Sequence, residues 1–495
     1  MLPIATRRSR SIAFAVALAM AAGSVARAQT PPAPAQQAQP DLAALSKLIE
    51  EQRKQIEEQS RLIDDLKNRL DATSKAVTSS QQRLTELEQK AAAATPEVEQ
   101  RLTEVEQSLR RLPELTPKEL AASSDFPGSF KIPGTDAGIR FGGQVRTIFV
   151  RNIGALGTDD RFVTSSIPIK GTPEAAEESR TTISASPSRF DTDFRVPTPH
   201  GQLRAYLQGD FAGSNRTYRL RHAFGQWHGF LIGQTWSTFS DPEAEPDGLD
   251  FEGLNAISLF RQPEIRWTLP FHERYELALA VENPSPDLTG ASGVNQAPDF
   301  IARIRFNSGG PASGHRLLFG QGGHTQAALL IRQLRGEPEQ SPNQIVSTVA
   351  YGVHVSGALP ARWSKRDYVK FATAAGKGIG RYITDLGTLG GQDAVYDVET
   401  NSLLALPVYS TYVGYEHWWT EQLRTTGTFG FVFVDNLEIQ TPDSLRQTTR
   451  SSLNISWSPV NRVDLIAEFL AGRRENKDRQ SGRAGQLQLG WIFRF

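Results

Sequence analysis

The 495-residue chain contains no cysteine, and beyond its first residues it has no long hydrophobic run. Without cysteine there is no disulfide, no thiolate metal site and no lipid-modified N-terminal cysteine. After residue 28 no stretch reaches the roughly 20 apolar residues that a membrane-spanning helix needs. The formal net charge is +0, so the composition gives no basic footprint for nucleic acid. These absences leave either a soluble protein or a membrane protein that crosses the bilayer with β-strands.

The first 28 residues have the organisation of a secretory signal peptide. Arginines at positions 7, 8 and 10 precede a short apolar run at 11–22, and Ala26-Arg27-Ala28 is a small-x-small cleavage sequence. The run is too short for an anchoring helix, so we predict that 1–28 is removed and that the mature chain begins at Gln29. Residues 29–40 follow as a linker rich in proline, alanine and glutamine.

A seven-residue repeat of apolar positions marks the segment 41–112. Its first column is strongly apolar and its second is half polar, so the seam buries too little surface to be stable alone. A single amphipathic helix packed on a domain is the alternative, but a repeat sustained over this length favours a periplasmic coiled coil that joins copies of the chain. The first column is Leu42, Ile49, Ile56, Ile63, Leu70, Val77, Leu84 and Ala91, and the second is Leu45, Gln52, Gln59, Leu66, Thr73, Ser80 and Leu87.

From about residue 126 to the C-terminus, apolar and polar residues alternate with a period of two. The last ten residues, QLQLGWIFRF, place leucine and aromatic side chains on one face and mainly polar ones on the other, as a lipid-facing strand requires. We predict an all-β transmembrane antiparallel barrel of about 16 strands over 124–495, with the N-terminal α-helical coiled coil before it. The strands at 324–334 and 366–376 alternate least clearly, so about 14 or about 18 strands remain alternatives.

The connections between these strands alternate in length. Long loops lie at 152–180, 240–256, 284–297 and 377–403, and the turns between them are short. Short periplasmic turns and long outer loops are typical of outer-membrane barrels. An even strand count places both ends of the barrel on the periplasmic side, so the coiled coil is expected in the periplasm.

No pattern in the sequence points to an enzyme or to a metal site. The chain has 8 histidines, and it contains neither HExxH nor GxSxG. GKGIGRY at 376–382 lacks the spacing of a phosphate-binding loop and is interpreted as a flexible loop or bulge. We expect no enzymatic activity, no cofactor and no metal.

Arginine recurs on the polar faces of the predicted strands, whereas lysine is scarce in this region. A guanidinium binds a carboxylate bidentately, and rings of basic side chains favour anions in narrow pores. The alternative is that these arginines only pair with lumenal carboxylates such as Asp191, Asp193 and Asp210, and the two interpretations are compatible. The candidates for a basic pore wall are Arg140, Arg146, Arg189, Arg195, Arg204, Arg219, Arg221, Arg303 and Arg305.

The loop DPEAEPDGLDFEG at 241–253 is acidic. If it folds inward, it makes a transverse field across a constriction together with the basic wall. Its candidate residues are Asp241, Glu243 and Glu245, followed by Asp247, Asp250 and Glu252.

Several segments resemble the DcaP-like outer-membrane porins, and together they span most of 124–495. The resemblance implies a trimer of barrels with an N-terminal periplasmic coiled coil, and uptake of small dicarboxylates and other negatively charged compounds. By analogy it implies that Arg189, Arg195, Arg204, Arg219 and Arg221 form the basic wall, with Asp241 and Glu243 on the constriction loop. The segments are SDFPGSFKIPGTDAGIRFGG (124–143), SRFDTDFRVPT (188–198), RLRHAFGQW (219–227), GQTWSTFSDPEA (233–244), GIGRYI (378–383), EHWWTEQLRTTGTFGF (416–431) and VDLIAEFLAGRRENK (463–477).

The expected function is therefore passive diffusion of small anionic, dicarboxylate-like solutes through a homotrimeric porin surrounded by the lipid of a Gram-negative outer membrane. A phosphate-selective channel is disfavoured because such channels rely on lysine ladders. A structural anchor, whose coiled coil tethers the barrel toward the periplasm or cell wall, is the main alternative. An outer-membrane hydrolase would need a Ser/His pair on the lipid-facing wall.

Overall fold

The computed structural model describes residues 126–177, 179–308, 322–361, 364 and 366–495, together with scattered positions between 50 and 85 that are helical and exposed. The chain divides into two compact units, Met1–Pro113 and Glu114–Phe495. The signal peptide, the linker and nearly all of the coiled coil predicted at 41–112 lie outside the described residues, so they stay predictions. None of the described helices is long and apolar enough to span a membrane.

Sixteen strands form a closed barrel in which every neighbouring pair is antiparallel, as predicted. The first strand closes the ring, because its residues 138–144 pair with the second strand and its residues 144–153 pair with the last. The two strands with the least clear alternation are both present. The barrel strands are β1 Gly138–Ile153, β2 Arg189–Thr198, β3 Gly201–Asp210, β4 Arg219–Trp227, β5 Phe230–Trp236, β6 Arg261–His272, β7 Tyr275–Glu282, β8 Asp299–Asn307, β9 His324–Pro338, β10 Val346–Pro360, β11 Tyr368–Lys377, β12 Pro407–Trp418, β13 Leu423–Val434, β14 Leu445–Trp457, β15 Val463–Asn476 and β16 Ser481–Arg494.

Shorter elements lie in the connections. The helix α1 spans Thr384–Leu389, and the 3-10 turns span Thr164–Ser166, Pro173–Ala176, Ser214–Arg216, Pro242–Ala244 and Gly380–Tyr382. The additional strands are Phe130–Lys131, Thr181–Ser184, Leu288–Thr289, Ala291–Gly293, Ala394–Asp397 and Ser402–Ala405.

The alternation of β16 sorts its side chains between the two faces of the wall. Trp491 and Phe493 are 43% and 48% exposed on the outer face, whereas Gln486 and Gln488 are fully buried on the inner face. The outer apolar row faces the region that lipid occupies around such a barrel.

The tryptophans near the short turns do not all share one role. Trp419 and Trp457 are exposed near the short turns, where aromatic side chains form a girdle at the membrane interface of such barrels. Trp418 differs from them, because the Arg424 guanidinium lies 5.2 Å from its ring centroid on the inner side of the wall. The alternation of β12 therefore turns Trp418 inward, where it packs against a cation.

Three long loops fold into the barrel: L1 (154–180), L3 (237–260) and L6 (378–406). The backbone N–H of Ser165 in L1 donates to the Asp385 carboxylate of L6 at 2.8 Å. The backbone N–H of Thr384 in L6 donates to the carbonyl of Ile257 in L3 at 3.0 Å. These bonds connect the three loops to one another inside the barrel.

An apolar core lies inside the barrel, between L3, L6 and one side of the wall. Leu330 of β9 and Ala374 of β11 point inward and pack in the same cluster as Phe239 of L3 and Tyr382 of L6. The inner face of the wall is therefore apolar on this side and not polar as expected, because loop side chains cover it in place of water. The space left inside the barrel lies on the opposite side, along β2–β6.

Candidate solute path

The tip of L3 is fastened to the inner wall by buried polar groups. Glu468 of β15 accepts hydrogen bonds from the backbone N–H groups of Leu249 at 2.5 Å and of Asp250 at 3.0 Å. Asp250 forms an ion pair with Arg450 of β14 at 2.8 Å, and both side chains are at most 3% exposed. Arg146 of β1 donates to the carbonyl of Leu249. Buried polar groups of this kind are costly to break, so L3 is held in one position.

The first acidic residues of L3 also contact the wall. Asp241 is 2% exposed, and it accepts from the His324 ring at 2.9 Å and from the Ser356 hydroxyl at 2.6 Å. Glu243 pairs with Arg305 of β8. Asp241, a candidate for the constriction, therefore does not face open space, because its carboxylate is enclosed by partners on β9 and β10.

The later acidic residues of L3 also lie next to cationic side chains. Asp247 pairs with Arg424 at 2.7 Å, and Glu252 lies 3.7 Å from Arg161 of L1. The loop was expected to present its carboxylates to the basic wall across a constriction. Instead most of them neutralise cations elsewhere, because each buried carboxylate requires a charged or hydrogen-bonding partner.

A cavity of about 900 Å³ lies between L1, L3, L6 and the wall strands β2–β6. Its lining is rich in arginine, and aromatic rings, including those of Trp236 and Phe260, lie between the guanidinium groups. The lining arginines are Arg161, Arg189, Arg216, Arg219, Arg221, Arg261 and Arg381, and the lining carboxylates are Asp159, Asp160, Glu245 and Glu252.

Two of the predicted wall arginines meet on one carboxylate beside this cavity. Asp210 of β3 forms ion pairs with Arg219 and Arg221 of β4, each at 2.8 Å. The pairing of β3 with β4 shifts register between Gln208 and Gly209. Such a bulge turns an additional residue inward, and here it lets Arg221 and the adjacent His222 both lie on the inner side of the wall.

A second arginine cluster lies nearer the short-turn end of the same wall. Asp193 of β2, whose side chain is fully buried, pairs with Arg195 at 2.7 Å, Arg204 at 2.9 Å and Arg140 at 3.6 Å. The Arg195 guanidinium also lies 4.4 Å from the ring centroid of Phe126. The alternative interpretation, that lumenal arginines pair with lumenal carboxylates, thus describes the contacts of these three residues.

The two candidates on β8 are also paired. Arg303 lies 2.5 Å from Glu276 of β7, and Arg305 contacts Glu243 of L3. Neither arginine lines the cavity, because their partners hold them against the wall and against L3.

Three of the cavity arginines have no carboxylate partner. Among the described residues, no carboxylate oxygen lies within 4.0 Å of Arg189, Arg216 or Arg261. The Nε of Arg189 is buried and lacks any hydrogen-bond acceptor. Arg261 stacks on Trp236, with its guanidinium 4.5 Å from the ring centroid. These three guanidinium groups therefore lie beside open space without a carboxylate at contact distance.

Only Arg189 of these three was a candidate from the sequence. Arg216 lies in a loop, and Arg261 is the first residue of β6, where strand alternation assigns no face. Arg381 was also missed, because GKGIGRY was interpreted as a flexible loop. In the structure Arg381 is buried and donates to Gln262 at 2.6 Å, so this glycine-rich segment is a packed part of the lumen.

Comparison with known proteins agrees with this architecture. A model of the DcaP outer membrane protein family matches residues 118–495. The outer membrane channel DcaP of Acinetobacter baumannii is similar in fold, with a TM-score of 0.63 and 21% identity over 74% of this chain and 100% of that chain. An anion-selective porin from Comamonas acidovorans gives a TM-score of 0.48 at 10% identity, over 72% of this chain and 100% of that one. No curated protein sequence matches at a significant level. With its family match across the whole barrel, the chain belongs to the DcaP family of outer-membrane proteins.

Proposed function

We propose that this protein is a porin through which small solutes diffuse across the outer membrane, with a preference for anions. One observation supports the proposal above all. The cavity beside β2–β6 contains three arginines, Arg189, Arg216 and Arg261, that have no carboxylate oxygen within 4.0 Å among the described residues. Guanidinium groups that already have a carboxylate partner contribute less to the preference for anions, because their charge is compensated locally.

Solutes with two carboxylates are included in the proposal, because more than one guanidinium without a carboxylate partner lines the same cavity and each can bind a carboxylate bidentately. The arginines around Asp210 lie on β4 beside the cavity, and those around Asp193 lie on β1, β2 and β3 nearer the short-turn end. Arg189 and Arg195 are six residues apart on β2, which corresponds to about 20 Å along the strand. A solute that leaves the cavity therefore meets a second basic cluster before it reaches the short-turn end.

Conductance of the purified protein in planar bilayers, with the reversal potential measured across a salt gradient, tests this proposal directly. We expect discrete conductance steps and a reversal potential whose sign shows greater permeability to anions than to cations. A folded barrel that conducts with cation selectivity would contradict the anion preference while leaving the porin function intact.

A structural anchor is the second candidate, and one observation favours it. L1, L3 and L6 bond to one another inside the barrel, and an apolar core fills one side of it. In that case the barrel would fix the N-terminal segment to the membrane and would conduct little. A folded barrel without measurable conductance, together with envelope defects after deletion of 41–112, would favour the anchor.

We also propose that the chain forms a trimer that the coiled coil at 41–112 stabilises. The half-polar seam of that segment suggests that it associates only when the barrels hold the copies together. Deleting 41–112 is therefore expected to leave barrels that insert into the membrane but dissociate at a lower temperature. The measurement is the temperature at which oligomers disappear from gels without boiling. Equal heat resistance of the two proteins would show that the barrel walls alone hold the oligomer.

A further inference from the structure

Glu245 is exceptional among the acidic residues that line the arginine-rich cavity. Asp159 pairs with Arg180 at 3.0 Å, Asp160 pairs with Arg161 at 2.9 Å, and Glu252 lies 3.7 Å from Arg161. No cation lies within 4.0 Å of the Glu245 carboxylate among the described residues. Glu245 is thus the cavity carboxylate that remains uncompensated at contact distance.

The backbone around Glu245 is fixed, so its side chain cannot move far from the cavity. Lys370 of β11 donates to the Glu245 carbonyl at 2.8 Å, and the Lys370 ammonium also pairs with Glu416 at 2.8 Å. On the preceding residue, the carbonyl of Ala244 accepts from the Tyr412 hydroxyl at 3.1 Å. These bonds place the Glu245 carboxylate on the L3 side of the cavity, facing the arginines of the wall.

We propose that the Glu245 carboxylate competes with permeating anions for the cavity arginines, and that its ionisation sets how strongly these arginines attract an anion. The inference rests on the proposed function and adds its regulation. When Glu245 is charged, its field offsets that of the free guanidinium groups, so a solute anion gains less by entering. When Glu245 is neutral, the same arginines are available to the solute. Anion preference therefore increases when this one carboxylate is protonated or replaced.

The charged and titratable groups that face Glu245 come from several elements. Arg189, Arg221 and Arg146 act on it from β2, β4 and β1, and Lys370 acts from β11. In turn, Glu245 acts on Arg261 of β6 and on Tyr412 of β12. These cations favour the charged form of Glu245, but burial opposes them and outweighs them. The result is a pKa raised above the ordinary value of 4.5.

The direction of this shift fixes the sign of the pH effect. As the pH falls toward the raised pKa, Glu245 takes up a proton at a higher pH than an exposed glutamate would. The competing charge disappears while the arginines keep theirs. Anion over cation permeability is therefore expected to rise as the pH is lowered from about 8 to about 5.

The test is the reversal potential of the full-length protein and of Glu245→Gln, measured in potassium chloride gradients across this pH range. At neutral pH we expect Glu245→Gln to have an anion over cation permeability about two- to fivefold above that of the unmodified protein, the range that unit charges a few ångströms apart across water produce. Its permeability ratio should also change less with pH, because the titrating group is gone. Heat-modifiable mobility on gels shows that the variant barrel is folded.

Glu252→Gln is the matched control, because it removes the same charge from the same loop and the same cavity. Arg161 keeps Asp160 as its partner in that variant, so we expect a smaller change in selectivity and a retained pH response. Equal effects of the two substitutions would overturn the assignment to Glu245. So would an unmodified protein that is anion-selective but whose selectivity does not rise with acid. If the unmodified protein shows no anion preference at any pH, the proposed function itself fails, which is a distinguishable result.

Discussion

Replacing Arg189 and Arg261 together with glutamine is expected to remove most of the anion preference. Both guanidinium groups line the cavity, and neither has a carboxylate partner among the described residues. Attraction between unit charges 4 Å apart is about 1 kcal/mol in water and about 4 kcal/mol near a protein surface. Because about 1.4 kcal/mol corresponds to a tenfold change, the loss of two such charges is expected to lower anion over cation permeability by about tenfold or more.

The control removes two arginines whose charges are compensated outside the cavity. Arg479 pairs with Glu475, which Arg473 also contacts, and Arg366 pairs with Glu421, and both Arg479 and Arg366 are more than half exposed. Ion pairs made by arginines this exposed contribute little, so Arg479→Gln with Arg366→Gln should keep most of the selectivity. Reversal potentials of the two double variants give the comparison. Equal losses would mean that total charge, and not the free arginines of the cavity, determines selectivity.

Replacing Glu468 with alanine is expected to release L3 from the wall and to change the conductance itself. The Glu468 carboxylate accepts from two buried backbone N–H groups, at Leu249 and Asp250. Leaving a buried donor without an acceptor costs about 1–3 kcal/mol, so the loss of both bonds favours another position of the loop tip. We expect a larger and noisier single-channel conductance, because the tip no longer stays against β14 and β15.

Glu421→Ala serves as the control for this substitution. Glu421 lies in the short turn between β12 and β13, and its side chain is 83% exposed. It contacts no part of L3 among the described residues, so its removal should leave conductance and noise unchanged. If Glu468→Ala behaves in the same way while its barrel stays folded, the hydrogen bonds that Glu468 accepts do not hold the tip of L3 in place.

The candidate site could be predicted from the sequence only in part. Alternation along β2 and β4 assigns Arg189, Arg195, Arg219 and Arg221 to the polar face, and in the structure they line the cavity or pair with Asp193 or Asp210. The sequence could not show that Arg195 shares Asp193 with two other arginines, because a partner in another strand depends on the register. It also gave no indication that Arg261, at the first residue of a strand, would lack a partner.

The contacts of the loop side chains could not be predicted from sequence patterns for a different reason. The acidic composition of 241–253 suggests a constriction, and L3 does fold inward, but Asp241 contacts His324 and Ser356 of the wall. A loop inside a barrel is surrounded by side chains from many strands, and the sequence does not state which of them meet. Glu245 belongs to the same acidic run as Asp241, yet no cation among the described residues contacts its carboxylate, and this difference depends on which side chains surround each residue.

By itself the sequence determines the barrel, because a period of two with an apolar outer row is a local property of each strand. That pattern gives a strand count of about 16 with 14 and 18 as alternatives, the order of long and short connections, and the lipid-facing surface seen in Trp491 and Phe493. Only the tertiary structure decides which side of the lumen stays open. L3 and L6 bury Leu330 and Ala374 on one side and leave the arginines of β2–β6 beside the cavity on the other. The physical reason is that burial and charge pairing in the lumen depend on contacts between residues distant in the chain, which no local period encodes.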